Sequence, residues 1–322
     1  MKKFNKYALL LCSLILTFSF ILSGCNNVQV DVSSSDNSGN SNKTSSTYNL
    51  SKNNKENPKK DSKNNVKEVF KNDLFVHYIN VGQGDSELIQ YKGKNVLIDA
   101  GPNSARNSLL KYLKGAGIKK LDYVVATHPH EDHIGNMDDV IRNFQIGEFI
   151  APKVSSTTAT FKSMITALKS KNLRITTAKP GLKISLDKNV NFEFFSPNSA
   201  SYENLNNYSP VMKLSYGKNS FLFTGDAETL SEKEILSKNF NVKSDVLKFG
   251  HHGSSTSSSI AFLRKVNPKI GIISCSKDNK YGHPHKETVK KIKDMNIKTY
   301  STYIDDTIIL TSNGTTIKKL NK

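Results

Sequence analysis

The six-residue run His128-Pro-His-Glu-Asp-His133 follows directly behind an apolar stretch at residues 121–127. That stretch is rich in β-branched and aromatic residues and predicts a buried strand, at whose carboxyl end open α/β sheets bind their ligands. Side chains alternate along an extended segment, so His128 and His130 are predicted to face the same side and to share one metal ion. Asp132 and His133 fall where the chain turns into a helix, and we expect them to face a second ion.

Other candidate ligands also stand at the ends of apolar, strand-like stretches. Of the eight histidines, all but His77 lie in the run above, in the pair His251-His252 or in His283-Pro-His285. Strands are predicted at residues 95–98, 220–225, 245–249 and 270–275, and Asp99 and Asp226 directly follow the first two. We therefore predict that these side chains gather along one rim of a sheet. The isolated His77 is interpreted as a residue of the hydrophobic core.

Six motifs occur in a fixed order between about residues 73 and 320. They are Asn80-Val-Gly-Gln-Gly-Asp-Ser86, Ile98-Asp-Ala-Gly101, Thr127-His-Pro-His-Glu-Asp-His133, Phe223-Thr-Gly-Asp-Ala-Glu228, Lys248-Phe-Gly-His-His-Gly-Ser254 and Tyr281-Gly-His-Pro-His285. In this set the chain resembles the metallo-β-lactamase superfamily, and within it the hydrolase domain of ComEC-type competence proteins. The resemblance implies an α/β fold, a four-layer αββα sandwich of two sheets between helical layers.

The resemblance also implies two divalent metal ions. His128 and His130 would bind the first, Asp132, His133 and one of the pair His251-His252 the second, and Asp226 both; within the pair we favour His252. We expect Asp132 and Asp226 to orient water, and His283 to stabilise charge on phosphoryl oxygens. The remaining candidates, expected behind the ligands or against the substrate, are Asp85, Asp99, Asn207, Ser209, His251 and His285.

One departure from the superfamily concerns the first metal ion. A third histidine ligand is usual there, yet this chain has no histidine from Ile134 to Gly250, a lack that the ComEC-type branch shares. At the corresponding place the sequence reads Asn206-Asn-Tyr-Ser-Pro-Val211, so an amide or hydroxyl oxygen, a water, or nothing fills the position. Oxygen ligands favour a harder ion, which makes manganese as plausible as zinc and magnesium a further candidate. The same lack disfavours a lactamase.

Residues 1–24 predict a lipoprotein signal peptide, with a basic leader, an apolar run and small residues before Cys25. Leu22-Ser-Gly-Cys25 resembles the bacterial lipobox, which implies a diacylated Cys25 and a position on the outer face of the cell membrane. Residues 25–72, dominated by Ser, Asn, Lys and Asp, predict a flexible tether, because so few apolar positions cannot offset the entropy of ordering. Residues 73–322 are then predicted to form one hydrolase domain.

Within that domain the sequence predicts helices near 104–115, 133–144, 158–171, 228–239, 257–266 and 284–295. Hairpin turns are predicted around Gly93 and Gly217. Pro284 suits the first turn of the last helix, which would direct a positive dipole end toward a phosphate. The backbone N–H groups of Gly82, Gln83 and Gly84 are either anion donors or simply part of a turn.

The net charge of +18 favours a polyanionic partner such as DNA, although solvated lysines facing an anionic envelope explain it equally well. Arginine occurs only at positions 106, 142, 174 and 264, so any nucleic-acid binding should be blind to sequence.

Three functions remain open. They are a surface-anchored nuclease on DNA, a phosphodiesterase on small or wall-linked esters similar to phosphorylcholine esterase, and a metal-dependent protein that binds DNA without cutting it. Transport across the membrane would require competence or envelope partners.

Overall fold

The structure is a computed structural model that describes residues 73–321. The predicted signal peptide, the predicted lipidation of Cys25 and the predicted tether lie outside the described residues. Within residues 73–321, every helix is too short or too weakly apolar to cross a bilayer.

Residues 73–321 form fifteen strands in two mixed sheets. The strands are β1 (Leu74–Tyr78), β2 (Glu87–Tyr91), β3 (Lys94–Ile98), β4 (Lys120–Val125), β5 (Gln145–Ala151), β6 (Ile175–Thr177), β7 (Lys183–Asp187), β8 (Val190–Phe194), β9 (Met212–Tyr216), β10 (Asn219–Phe223), β11 (Val246–Lys248), β12 (Ile270–Ile273), β13 (Lys298–Ser301), β14 (Ile308–Ser312) and β15 (Ile317–Lys319).

Each sheet has an antiparallel half and a parallel half. The first sheet has the order β15-β14-β1-β2-β3-β4-β5-β6 and becomes parallel from β3 to β6. The second has the order β13-β12-β11-β10-β9-β8-β7 and is parallel from β10 to β13. Parallel strands end on the same side of a sheet, so the loops after β3, β4, β10, β11 and β12 bring their polar residues to common rims.

Eight α-helices connect these strands in the described range. They are α1 (Arg106–Gly115), α2 (Glu131–Ile134), α3 (Met137–Asn143), α4 (Ala159–Ser170), α5 (Thr229–Ser237), α6 (Ile260–Val266), α7 (Lys286–Asp294) and α8 (Thr302–Asp305). Short 3₁₀ helices occupy Asn103–Ala105, Leu205–Tyr208 and Gly250–Gly253.

Buried apolar side chains form three clusters that define the layers. One cluster lies between the two sheets and includes Tyr78 and Phe223. A second packs the outer face of the first sheet against α1, α3 and α4, and a third packs the outer face of the second sheet against α5 and α6. The sequence of layers is helix, sheet, sheet, helix, which confirms the predicted four-layer αββα fold.

Most predicted helices and strands occur at the predicted positions, although most of them are shorter than the predicted ranges. Helices α1, α4, α5 and α6 match four of the predicted helices. The side chains of Thr158 and Ser259 cap α4 and α6, each accepting a hydrogen bond from the backbone N–H of the residue three positions later. Both predicted hairpins are present, with two-residue turns at Lys92-Gly93 and Gly217-Lys218.

Two helix predictions were wrong in detail. The helix predicted at 133–144 is broken into α2 and α3 at Gly135 and Asn136. A side chain at Gly135 would clash with the backbone of Gly101 and Asn103, and the Asn136 amide donates to the carbonyls of Ala100 and Pro102 at 2.9 and 2.6 Å. The helix predicted to start at Pro284 begins instead at Lys286, because His285 is its extended N-cap.

Candidate metal centre

The loop after β4 brings the first imidazoles together. His128 is buried, and its Nε2 atom lies 2.9 Å from Nδ1 of His130 and 3.8 Å from Oδ2 of Asp226. Asp226 follows β10 of the other sheet. His128 of the first sheet and Asp226 of the second sheet, both predicted ligands, therefore face each other.

The first residues of α2 supply the next candidate ligands. Nε2 of His133 lies 3.3 Å from Oδ2 of Asp226 and 4.0 Å from Oδ2 of Asp132. Nε2 of His252 lies 3.2 Å from the same oxygen of Asp132 and 3.5 Å from that of Asp226. The structure thus brings together all six residues that the sequence nominated as metal ligands; their binding of an ion stays a prediction.

His251, the less favoured member of the pair, also turns toward Asp226, whereas the sequence interpretation expected only one of the two histidines there. Its Nε2 atom lies 3.7 Å from Oδ2 of Asp226, and its Nδ1 atom lies 3.3 Å from Oε1 of Glu228. His251 and His252 both have positive φ angles, 50° and 56°, in the 3₁₀ turn after β11. Such a backbone is costly for residues other than glycine, and strain of this kind concentrates at functional sites.

Two buried carboxylates lie behind the ligand histidines. Oδ2 of Asp99 lies 2.7 Å from Nδ1 of His133 and accepts a hydrogen bond from the Thr127 hydroxyl at 2.6 Å. Oδ1 of Asp85 lies 3.3 Å from Nδ1 of His252, whose Nδ1–H donates to the Ser274 carbonyl at 2.9 Å. In each case the second ring nitrogen is engaged, which directs Nε2 toward Asp226.

The lysine ammonium that pairs with Asp85 is completely buried beneath the centre. Lys248, the last residue of β11, donates to Oδ2 of Asp85. Asp85 also belongs to a cluster with His133, Asp226 and His252 whose ligand atoms lie within 4.8 Å of one another. We assign Asp85 to the support of His252 rather than to a metal ion, because Lys248 already neutralises it.

Ser209 and Asn207, in the segment that replaces the missing third histidine, direct their side-chain oxygens to groups other than a metal ion. Ser209 Oγ lies 3.3 Å from Nδ1 of His128, on the ring edge away from Asp226, and accepts from the Asp226 N–H at 3.2 Å. The side-chain oxygen of Asn207 accepts from the backbone N–H groups of Glu228 and Ser231. Both residues hold the Asp226 loop in place.

His283 and His285 lie at the edge of the centre. The ring of His283 is 5.3 Å from that of His251 and 6.0 Å from that of His252, centroid to centroid. His285 is farther out, with Nδ1 accepting from the Ser255 N–H at 2.9 Å.

The turn Gly82-Gln-Gly84 is held by its own contacts. The Gly82 N–H donates to the side-chain oxygen of Asn80 at 3.1 Å, and a side chain at Gly84 would clash with the Asp132 carbonyl. The geometry therefore favours the turn over the anion donor.

Some histidines of the centre have lowered pKa values and others have raised ones. Burial and the neighbouring His133 hold the pKa of His128 well below its usual range, so its imidazole is neutral. For His252, burial opposes protonation, but the carboxylates of Asp226 and Asp85 outweigh it and raise the pKa to about 10. The pKa of His133 is raised for the same reason, with Asp226 and Asp99 overcoming burial. His283 has its pKa lowered to about 4 by burial and by His252.

Histidine and carboxylate atoms in this arrangement fit a divalent metal ion. Neither Nε2 of His133 nor Oδ1 of Asp226 has a hydrogen-bond partner among the described residues, although both atoms are buried. Buried polar atoms are normally satisfied, so an orphaned nitrogen and an orphaned oxygen on two neighbouring side chains indicate a ligand-binding site. Imidazole and carboxylate are the donors that zinc and manganese accept.

His77 has a different environment. It lies on β1 with Nδ1 2.7 Å from the Tyr112 hydroxyl, and burial lowers its pKa to about 4. It is a neutral buried residue, as the sequence predicted.

Comparison with known proteins identifies the family to which the chain belongs. Residues 79–277 match the metallo-beta-lactamase superfamily model, and the chain belongs to this superfamily. It is 30% identical over 251 residues to ComE operon protein 3 of Bacillus subtilis, an alignment that covers 72% of this chain and 32% of that protein. It is 30% identical over 231 residues to Recombination protein 2 of Haemophilus influenzae, an alignment that covers 70% of this chain and 27% of that protein. The predicted likeness to ComEC-type competence proteins is confirmed.

The chain spans about a third or less of the length of these two relatives. Among solved structures, the metallo hydrolase Igni18 from Ignicoccus hospitalis matches with a TM-score of 0.50 at 18% identity, covering 73% of this chain and 98% of that one. That match concerns the fold alone.

Three residues of the site carried no role in the sequence interpretation. Lys248 pairs with Asp85, Glu228 pairs with His251, and Tyr281 stacks on His283. A signal existed for Lys248, since a lysine inside an otherwise apolar strand requires a buried anion. Glu228 and Tyr281 are polar residues in loops, and only their neighbours in space reveal them.

Proposed function

We propose that this protein is a divalent-metal-dependent phosphodiesterase that cleaves DNA. The superfamily and the convergent imidazole and carboxylate groups support metal-dependent hydrolysis. The names of the relatives, which refer to recombination and to the ComE operon, support DNA as the polymer on which it acts. The surplus of positive charge is consistent with a polyanionic substrate.

The observation that carries the proposal is the environment of Asp226. Its Oδ2 atom lies within 3.8 Å of Nε2 atoms from four histidines, two from each sheet: His128, His133, His251 and His252. A carboxylate that imidazole nitrogens from both sheets approach in this way suits a position shared by two neighbouring cations.

We assign the ligands by the contacts of these residues with one another, which join His128 to His130 and join both His133 and His252 to Asp132. His251 is placed with the first pair because the second set already has three members. His128, His130 and His251 would hold the first ion, and Asp132, His133 and His252 the second, with Asp226 shared. In this assignment His251 supplies the imidazole that the superfamily usually takes from the segment at 206–211. When bound, such ions would lower the pKa of water and offset negative charge on a phosphoryl group.

Residues of the chain itself orient the metal ligands and donate a hydrogen bond to the substrate. His133 and His252 are held by Asp99 and Asp85, so that their Nε2 atoms stay aligned. Gln83 has its carbonyl oxygen fixed by the Ser276 N–H at 3.2 Å, which turns its amide nitrogen toward Nδ1 of His283 at 3.4 Å. The neutral His283 then carries its proton on Nε2, from which it donates to a phosphoryl oxygen.

The test is cleavage of labelled single- and double-stranded DNA by protein stripped of metal and resupplied with manganese, zinc or magnesium. We expect cleavage with at least one ion and its loss in His128→Ala, because one ligand of the first ion is removed. DNA that is retained and left intact by both proteins would select the binding function instead. Inactivity with every ion, together with an absence of binding, would refute both.

We further propose that the protein is anchored to the outer face of the cell membrane through a lipidated Cys25. The sequence Leu22-Ser-Gly-Cys25 supports this proposal. Globomycin should leave the precursor unprocessed, and Cys25→Ser should release the protein from the membrane fraction. Unchanged processing and unchanged fractionation would contradict the anchor.

A further inference from the structure

Tyr281 is 52% exposed although it lies beside the candidate metal centre. It stacks on the imidazole of His283, with ring centroids 5.6 Å apart and ring planes 19° apart. The same imidazole approaches the ring of His251 at 5.3 Å. One imidazole therefore contacts both an exposed tyrosine and a histidine that we assign to the first ion.

Hydrogen bonds hold the loop that carries Tyr281. The Asn279 amide donates to the carbonyls of Ser276 and His283 at 2.9 and 2.6 Å, and its oxygen accepts from the His283 N–H at 2.8 Å. Nε2 of His285 donates to the Tyr281 carbonyl at 3.0 Å. A ring on a fixed backbone loses little conformational entropy when a flat partner packs against it.

Lysines outnumber acidic residues in the segment around this ring, in which Asp278 and Glu287 are also exposed. Lys277, Lys280 and Lys286 are exposed in the same segment, and Nζ of Lys280 lies 5.1 Å from the Tyr281 centroid. Lysine binds phosphate as a point charge and does not select a base. An aromatic face next to such cations is the arrangement by which proteins hold single-stranded nucleic acid, since bases stack on the rings while phosphates meet the cations.

We propose that Tyr281 is a stacking platform for an unpaired nucleobase, and that it makes single-stranded nucleic acid the preferred substrate of the metal centre. The proposal rests on the phosphodiesterase function above. In a duplex each base already stacks on its neighbours, so a base reaches this ring only from a single strand or a frayed end. A wall polymer of sugar or glycerol phosphates has no flat base to stack and is disfavoured.

The test compares a radiolabelled single strand with an abasic strand of the same length and charge, measuring both binding and manganese-dependent cleavage. The wild-type protein should favour the base-bearing strand by about 5- to 100-fold, the contribution expected of stacking on one ring. Tyr281→Ala should bring this ratio close to one, whereas Tyr281→Phe, which keeps the ring, should retain it. Tyr303→Ala, which removes another exposed tyrosine, should also retain the ratio.

The results separate this inference from the proposed function. A wild-type protein that treats the two strands alike, or a Tyr281→Ala protein that keeps the full ratio, overturns the platform. Cleavage of a poly(glycerol phosphate) in preference to the base-bearing strand overturns it as well but leaves a phosphodiesterase. Binding without cleavage that still depends on the Tyr281 ring supports the platform and refutes the hydrolytic function.

Discussion

The two sheets supply the candidate metal centre in different ways. The first sheet contributes its ligands as one continuous run, His128 to His133, on a single loop and one short helix. The second sheet contributes Asp226, the pair His251-His252 and His283 from the ends of three separate strands. One half is therefore readable as a motif, whereas the other half exists only because β10, β11 and β12 lie side by side.

The support behind the two halves also differs. In the first half His133 is held by Asp99, a carboxylate that is itself satisfied by Thr127. In the second half His252 is held by Asp85, whose charge is balanced by the buried Lys248. The carboxylate behind His252 is thus balanced by a buried lysine, whereas the carboxylate behind His133 accepts its further hydrogen bonds from neutral donors of Thr127.

Breaking the ion pair should have the largest effect. Lys248→Met keeps the bulk of the side chain but leaves Asp85 buried without its partner, and should lower the free energy of unfolding by about 3 to 5 kcal/mol. Urea unfolding of metal-free protein measures this loss. The double variant Lys248→Met with Asp85→Asn should recover much of it, because no unpaired charge remains. A single variant as stable as the wild type would show that the second half does not rely on the pair.

The pH dependence of metal binding tests the charge of the ligands. Below a pKa of about 10, metal-free His252 holds a proton that a metal ion must displace. Metal affinity should therefore rise by about 10-fold per pH unit for each proton displaced, from pH 7 toward 9, and level off above 10. Titration calorimetry in buffers of different ionisation enthalpy counts the protons. Affinity that falls as pH rises would contradict the raised pKa.

The sign is opposite for the stability of the metal-free protein. Protonated His252 is stabilised by Asp226 and Asp85, so this contribution is complete below the unfolded pKa of 6.5 and disappears as pH rises through about 10.

Residues behind the ligands allow a direct comparison of buried and exposed support. Asp99→Asn should weaken metal binding by about 10- to 100-fold, since Asp99 is completely buried behind His133. Glu228→Gln, behind the more exposed His251, should cost less, because water replaces part of its contact. Metal competition with a chromogenic chelator ranks the two. An equal or larger loss for Glu228→Gln would mean that burial does not set the difference.

Ser209→Ala should have the smallest effect. Its hydroxyl joins the halves by contacting His128 and the Asp226 N–H, and removal of one such hydrogen bond costs about 1 kcal/mol. We expect a loss of metal affinity of only a few fold, measured by the same competition. A complete loss of the first ion would instead identify Ser209 as its ligand.

The sequence predicted those features of the structure that depend on residues close together in the chain. The strands before Asp99, His128 and Asp226 follow from apolar runs ended by polar residues, whereas the αββα layers were expected from the resemblance of the motifs to the superfamily. The break at Gly135 and Asn136 was missed, because the contacts found there, with the backbones of Gly101 and Asn103 and with the carbonyls of Ala100 and Pro102, come from residues far along the chain. The same holds for His251, whose direction depends on two consecutive positive φ angles that no spacing rule reveals.

An anomalous-difference map from crystals grown with manganese tests the shared centre most directly. Two peaks should flank Asp226, one contacted by His128, His130 and His251 and the other by Asp132, His133 and His252. A map without a peak beside Asp226, or with manganese bound only elsewhere on the protein, would contradict a centre built jointly by the two sheets.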